Sequence, residues 1–72
     1  MNKKNKIKIT VNGKVLTVNL KFSLINLVEK LKIPISKVAI ELNEEIIDKK
    51  KLKKIFLKNE DKIEIVHFIG GG

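Results

Sequence analysis

The sequence lacks cysteine and holds one histidine, one proline and three aromatic residues in 72 positions. Without cysteine, the chain has no disulfide scaffold, no thiolate nucleophile and no cysteine-based zinc site. A lone histidine does not provide the ligand spacing of a metal centre. Apolar runs of about 20 residues, the length of a membrane span, are also missing. We therefore expect one cytoplasmic domain without a metal, a bound cofactor or a membrane segment.

The chain is strongly basic. Its sixteen basic residues are all lysine, and with eight acidic residues they give a net charge of +8. Nucleic-acid surfaces favour arginine for bidentate contacts and aromatic residues for base stacking. Arginine is absent here and aromatic residues are scarce. We therefore interpret the lysines, including the cluster from Lys49 to Lys54, as a solvated surface, and expect no nucleic-acid partner. Steering of an acidic partner by this cluster is the alternative.

The start of the chain predicts a β-hairpin around Asn12-Gly13. Large apolar residues alternate with polar ones on both sides of this pair: Ile7, Ile9 and Val11 before it, Leu16, Val18 and Leu20 after it. Asn-Gly favours a type I′ turn, because both of its central residues need a positive φ. A loop of this kind pairs Ile9 with Leu16 and Ile7 with Val18, which puts the large apolar side chains on one face.

One short helix and further strands are predicted after the hairpin. Ser23 is the predicted N-cap, and apolar residues follow it at helical spacing until a predicted end near Lys32, before Pro34. The remaining predictions are strands over 38–42 and 46–47, a helical turn within 48–56, a turn at 59–61 and a last strand over 62–69. This order predicts an α+β domain over residues 1–69, a mixed sheet of four to five strands packed on one helix.

The sequence closes on Gly70, Gly71 and Gly72, whereas Gly13 is the only glycine elsewhere. Glycine has no Cβ, so this predicted tail, residues 70–72, is thin and rotates easily. Such a tail can thread a narrow tunnel and place the Gly72 carboxylate in a partner's active site. An ionised carboxylate is a poor electrophile, and the chain has no phosphate-binding loop. We therefore predict that a partner uses ATP to activate Gly72.

Three segments, Val38–Asn43, Ile46-Ile47 and above all Glu64–Gly72, resemble the ThiS family of thiamine-biosynthesis sulfur carriers. The resemblance extends over the whole chain and implies a ubiquitin-like β-grasp fold, with Gly70 and Gly71 as the threading tail. It also implies a protein cosubstrate rather than an enzyme. A ThiF-like adenylyltransferase would join the Gly72 carboxylate to AMP. Sulfur derived from a cysteine desulfurase would replace AMP, and a ThiG-like thiazole synthase would use the resulting thiocarboxylate.

Other residues near the end of the chain carry predictions of their own. Val66 and Phe68 have the parity opposite to the core residues of the last strand, so they are candidates for a partner docking patch; packing under a loop is the alternative. His67 is interpreted as a plain strand residue. The resembling family often has glycine where this chain has Glu60, so Asn59 is expected to adopt the left-handed conformation instead.

Two alternative functions stay open from the sequence. A Gly-Gly end is shared among β-grasp carriers, so sulfur delivery for molybdopterin, tRNA or cysteine synthesis is the alternative within the same class. The alternative from another class is a basic β-grasp module that binds RNA. The latter predicts salt-sensitive RNA binding and no effect of deleting Gly71 and Gly72.

Overall fold

The computed structural model describes residues 5–68 and contains, within them, a five-stranded mixed sheet and one α-helix. The elements in chain order are β1 (Lys6–Val11), β2 (Lys14–Asn19), α1 (Leu24–Lys30), a 3₁₀ turn (Ile35–Lys37), β3 (Val38–Leu42), β4 (Glu45–Ile46), a basic 3₁₀ helix (Lys49–Lys54) and β5 (Lys62–His67). The predicted boundary at residue 69 and the predicted tail over 70–72 lie outside the described residues. The predicted α+β class is confirmed.

The hairpin of β1 and β2 has the register that the alternating pattern predicts. Ile9 lies opposite Leu16, and Ile7 lies opposite Val18. Asn12 and Gly13 have φ values of 49° and 83°. Both are positive, as a two-residue type I′ connection requires. A local signal therefore determines this part of the fold.

Helix α1 begins at a capping box and ends slightly earlier than predicted. The Ser23 hydroxyl accepts a hydrogen bond from the Asn26 backbone N–H, and the Asn26 side chain accepts one from the Ser23 N–H, both at 3.1 Å. At the other end Lys32 has a φ of 56°, and the Ile33 N–H donates to the Val28 carbonyl at 3.0 Å. This is a Schellman motif, which ends the helix before the restriction from the following proline applies.

The strand order of the sheet is β2-β1-β5-β3-β4, so the last strand of the chain is the central one. β5 runs parallel to β1 and antiparallel to β3. Helix α1 packs on one face of the sheet, and the almost completely buried side chains there are Ile9, Leu24, Leu27, Val38, Ile40, Leu52 and Ile63. We call this face the inner face and the opposite one the outer face.

Two predictions in the second half of the chain need correction. The short fourth strand is Glu45–Ile46 rather than 46–47, because Asn43 and Glu44 form a tight turn with φ values of 50° and 73° that pairs Leu42 with Glu45. The prediction of a left-handed Asn59 was wrong. Glu60 has the positive φ, 71°, while the Asn59 side chain accepts a hydrogen bond from the Lys8 N–H at 2.9 Å.

Among the helices of residues 5–68, none has the length and apolar character that crossing a membrane requires.

Candidate functional site

The candidate site is the end of β5, where the chain leaves the sheet toward the glycines. β5 has hydrogen-bonded neighbours on both sides. On the β1 side, the Asn12 N–H donates to the Ile63 carbonyl at 2.9 Å, and the Thr10 N–H donates to the Asp61 carbonyl at 2.9 Å. A strand paired on both edges is held more firmly than an edge strand. The end of β5 is therefore held on both sides, close to the last residue that the structure describes.

An asparagine side chain extends this pairing after β1 has ended. The Oδ1 atom of Asn12 accepts a hydrogen bond from the Ile65 N–H at 2.7 Å, and its Nδ2 atom donates to the Ile65 carbonyl at 3.2 Å. The carboxamide thus takes the place of a further strand residue beside β5. The turn residue that shapes the hairpin also fixes the strand that leads to the tail.

A second polar cluster fixes the beginning of β5. Asn43 donates from Nδ2 to the Asp61 carboxylate at 3.0 Å and accepts from the Lys62 N–H at 2.9 Å. The other oxygen of Asp61 accepts from the Lys58 N–H at 2.7 Å. The turn before β5 and the turn after β3 are therefore joined through side chains, which sets where β5 enters the sheet.

Phe68 is the last residue that the structure describes, and its backbone is hydrogen-bonded to the 3₁₀ turn that precedes β3. Its N–H donates to the Lys37 carbonyl at 2.9 Å. Gly70, Gly71 and Gly72 lie outside the described residues. Gly72 is four positions after Phe68 in the sequence, and a chain of that length spans at most about 14 Å.

The outer face beside this exit carries exposed apolar side chains. Val66 is 54% exposed and Phe68 is 56% exposed. Ala39 lies opposite Val66 on β3, and Ile46 of β4 is exposed on the same face. The orientation predicted for Val66 and Phe68 is therefore the one observed. Their role in docking stays a prediction.

A lysine contacts the aromatic ring at the exit. The Lys49 ammonium lies 5.2 Å from the centroid of the Phe68 ring, which is within the range of a cation–π interaction. Lys49 is the first residue of the basic 3₁₀ helix, and Asp48 caps this helix by accepting from the Lys50 N–H at 2.9 Å. The contact places the start of the basic 3₁₀ helix beside the base of the tail.

The lone histidine lies at the end of β5. His67 pairs with Val38 of β3, and its side chain is exposed. Within residues 5–68, no group of three or more histidine, cysteine, aspartate or glutamate side chains is arranged to hold a metal ion.

Sequence reasoning missed two side chains that contact the last strand and its end, those of Asn12 and Lys49. Asn12 was interpreted only as a turn residue, and Lys49 only as one member of a lysine cluster. The partner of Asn12 is 53 positions away in the chain, and no local pattern gives that pairing. The aromatic residue beside Lys49 is likewise remote in sequence, so no local pattern gives that contact either.

The fold and the exit of the last strand define the class of protein. A hairpin, a helix on its inner face and a central last strand parallel to the first make a ubiquitin-like β-grasp domain. The chain belongs to the ThiS family, because the family model described as ThiS family matches residues 9–72. The matched range includes the closing glycines.

Individual relatives agree with this family. The chain is 32% identical to the thiamine biosynthesis protein ThiS from Geobacter metallireducens, whose crystal structure matches with a TM-score of 0.81, covering 92% of this chain and 100% of that one. It is 51% identical over 35 residues to the sulfur carrier protein ThiS of Bacillus subtilis, covering 49% of this chain and 53% of that protein. It is 35% identical over 66 residues to a thiazole synthase from Paramagnetospirillum magneticum, covering 92% of this chain and 20% of that protein. The matches thus span about half of one curated relative and a fifth of the other.

Proposed function

We propose that this chain is a cytoplasmic sulfur carrier of thiamine biosynthesis, with the Gly72 carboxylate as its working group. The observation that carries the proposal is the family match through residue 72 on a domain whose central strand leads toward that residue. The Bacillus subtilis relative is named as a sulfur carrier protein, which supports the carrier role. In this function the chain is a cosubstrate that partner enzymes modify and restore.

The chemistry follows from the low reactivity of a carboxylate. An oxygen of Gly72 attacks the α-phosphate of ATP, and pyrophosphate leaves, which gives an acyl adenylate. The terminal sulfur of a persulfide then attacks the Gly72 carbonyl carbon, and AMP leaves. A thiol takes up the inner sulfur of the persulfide as a disulfide, which frees the thiocarboxylate. The β-grasp domain contributes the rigid base that presents Gly72, while the partner contributes the ATP site.

Three partners belong to this proposal: a ThiF-like adenylyltransferase, a persulfide supplied by a cysteine desulfurase, and a ThiG-like thiazole synthase. The thiazole synthase has support of its own. The Paramagnetospirillum magneticum protein of that name matches nearly the whole of this chain with only 20% of its own length. A ThiS-like segment and a much longer remainder thus occur together in a protein named for the synthase. This arrangement supports a synthase of that kind as the acceptor of the sulfur.

The chain has no cysteine, so a thiol-specific alkylating reagent has no thiol of the protein to label besides the thiocarboxylate. The protein is incubated with a ThiF-like adenylyltransferase, ATP and a persulfide donor, and is then treated with iodoacetamide before intact-mass measurement. We expect one alkyl group, mapped by fragmentation to Gly72, and no label when ATP is omitted. Alkylation is needed because oxidation of Met1 adds the same nominal mass as exchanging oxygen for sulfur.

A deletion provides the control for position. A chain that lacks Gly71 and Gly72 still ends in a carboxylate and keeps every described contact of the domain. We expect no labelling of this variant, because its chain is two residues shorter and its terminal carboxylate does not reach the partner's reaction centre. Equal labelling of the two proteins, or an unlabelled full chain with several competent adenylyltransferases, would overturn the proposed function.

A further inference from the structure

The basic 3₁₀ helix has a face that the fold does not use. A 3₁₀ helix has three residues per turn, so side chains three positions apart lie above one another. Leu52 is 1% exposed, and half-buried Lys49 lies above it, so this ridge faces the domain. The other two ridges consist of Lys50 with Lys53 and Lys51 with Lys54, all of them exposed. We call these four residues the lysine face.

The lysine face has no ion-pair partner in the part of the chain that the structure describes. Within residues 5–68, the ion pair found at 4.0 Å joins Lys62 to Glu44 and involves no residue of the basic 3₁₀ helix. The carboxylate of Asp48 is engaged as the cap of the helix. Like charges stacked on one helical ridge repel each other. Folding therefore gains nothing from these lysines, and neutral polar residues would serve the domain equally well.

The lysine face starts directly after Lys49, whose ammonium lies 5.2 Å from the ring centroid of Phe68 at the end of β5. The basic 3₁₀ helix that carries the face therefore begins beside the end of β5. Gly72 follows Phe68 by four positions, a length of chain that spans at most about 14 Å. A protein that takes Gly72 into its active site therefore covers the surface around Phe68. An interface of ordinary size, about 800 Å² per partner, extends from Phe68 onto the basic 3₁₀ helix.

We propose that the lysine face docks on an acidic surface of the protein that receives the Gly72 tail. The inference rests on the proposed function and adds the chemistry of the partner to it. Opposite charges on two proteins steer their encounter and raise the association rate. A protein is the proposed occupant because the face lies on the helix that contacts Phe68, four positions before the residue that a protein must receive. The lack of arginine in the chain argues against nucleic acid.

The test compares two variants of equal net charge. In the first, Lys50, Lys51, Lys53 and Lys54 are changed to Gln. In the matched control, the same change is made at four exposed lysines outside the basic 3₁₀ helix, on β1, β2 and α1: Lys6, Lys8, Lys14 and Lys30. Each variant lowers the net charge from +8 to +4. Association with a ThiF-like adenylyltransferase is followed by stopped-flow fluorescence at low and at high salt.

We expect the variant of the lysine face to associate about tenfold more slowly than wild type in about 20 mM NaCl, and the control about twofold more slowly. The difference should nearly vanish in about 500 mM NaCl, where screening is strong. The maximal rate of adenylation should not change, because the tail is intact. Melting temperatures of both variants should equal or exceed that of wild type, which separates docking from folding.

Several outcomes would overturn the inference. Equal slowing of both variants would make net charge the cause, and unchanged rates would remove any role of the lysine face. Loss of binding to a poly(U) oligonucleotide by the first variant alone, with adenylation unaffected, would assign the face to nucleic acid. A wild type that is never adenylated would instead overturn the proposed function itself, so the two failures are distinguishable.

Discussion

The two faces of the sheet are built from the same strands but differ in burial and in what they contact. Along β5, Ile63 and Ile65 are buried on the inner face, while Val66 and Phe68 are more than half exposed. The inner face is sealed by α1, whereas no described element covers the outer side chains at the exit of β5. Alternation along one strand thus separates the residues that hold the domain together from those available to a partner. Substitutions on the two faces should therefore fail in different ways.

The largest effect is expected from Ile63→Ala. Ile63 is 0% exposed and lies on the central strand, so its truncation removes buried surface and leaves a cavity. Such a change costs about 2–5 kcal/mol, which is most of the stability of a domain this small. Urea unfolding followed by circular dichroism should show a midpoint near zero denaturant or an unfolded protein in water.

The matched change on the outer face is Val66→Ala. We expect it to change the free energy of unfolding by less than about 0.5 kcal/mol, as for most exposed positions. Similar losses for Ile63→Ala and Val66→Ala would mean that both faces support the fold. The distinction between a stabilising inner face and an outer face available to a partner would then be wrong.

Phe68→Ser should weaken function without weakening the fold. An aromatic anchor at the centre of an interface is worth about 2 kcal/mol, or about a thirtyfold fall in kcat/KM for adenylation. Phe56 is the control, because it is also 56% exposed but lies after the basic 3₁₀ helix, away from the exit of β5. We expect Phe56→Ser to leave kcat/KM within about twofold. A lower melting temperature for Phe68→Ser alone would make Phe68 a structural residue.

Local patterns in the sequence predicted some of this architecture but not all of it. The alternation around Asn12-Gly13 predicted the hairpin and its register, and the helical spacing after Ser23 predicted α1, because the interacting residues are close in the chain. The contacts of Asn12 with β5 were missed, because they depend on which strand lies beside β1. The left-handed Glu60 was also missed, since the Asn59 side chain in that turn accepts a hydrogen bond from the N–H of Lys8, which is remote in the chain.

Asn12→Gly tests whether an exposed residue can matter for the fold. Glycine tolerates the positive φ at this position, so the change removes only the two hydrogen bonds to Ile65. We expect a loss of about 1–2 kcal/mol in unfolding free energy, measured by urea denaturation. Asn12→Asp keeps the acceptor and loses the donor toward the Ile65 carbonyl, so its loss should be similar. No loss in either variant would mean that backbone pairing alone fixes β5.

The smallest effect is expected from Lys49→Met, which keeps an unbranched side chain and removes the charge over the Phe68 ring. An exposed cation–π contact is worth about 0.5–1 kcal/mol, so the KM for adenylation should rise about two- to fivefold with kcat unchanged. Lys49→Arg keeps a cation over the ring and should behave like wild type. Lys50→Met, which makes the same charge change without a ring contact, should have no effect in about 500 mM NaCl.

An NMR measurement tests the contact between Lys49 and Phe68 in the absence of any partner. The ε-methylene protons of Lys49 should be shifted upfield by the ring current of Phe68, and Phe68→Ser should abolish the shift. If the shift is present but Lys49→Met and Lys50→Met raise KM equally, the contact exists without positioning the exit of β5. Lys49 would then act only as one more charge of the basic 3₁₀ helix, and the outer face would present Phe68 by the backbone bond to Lys37 alone.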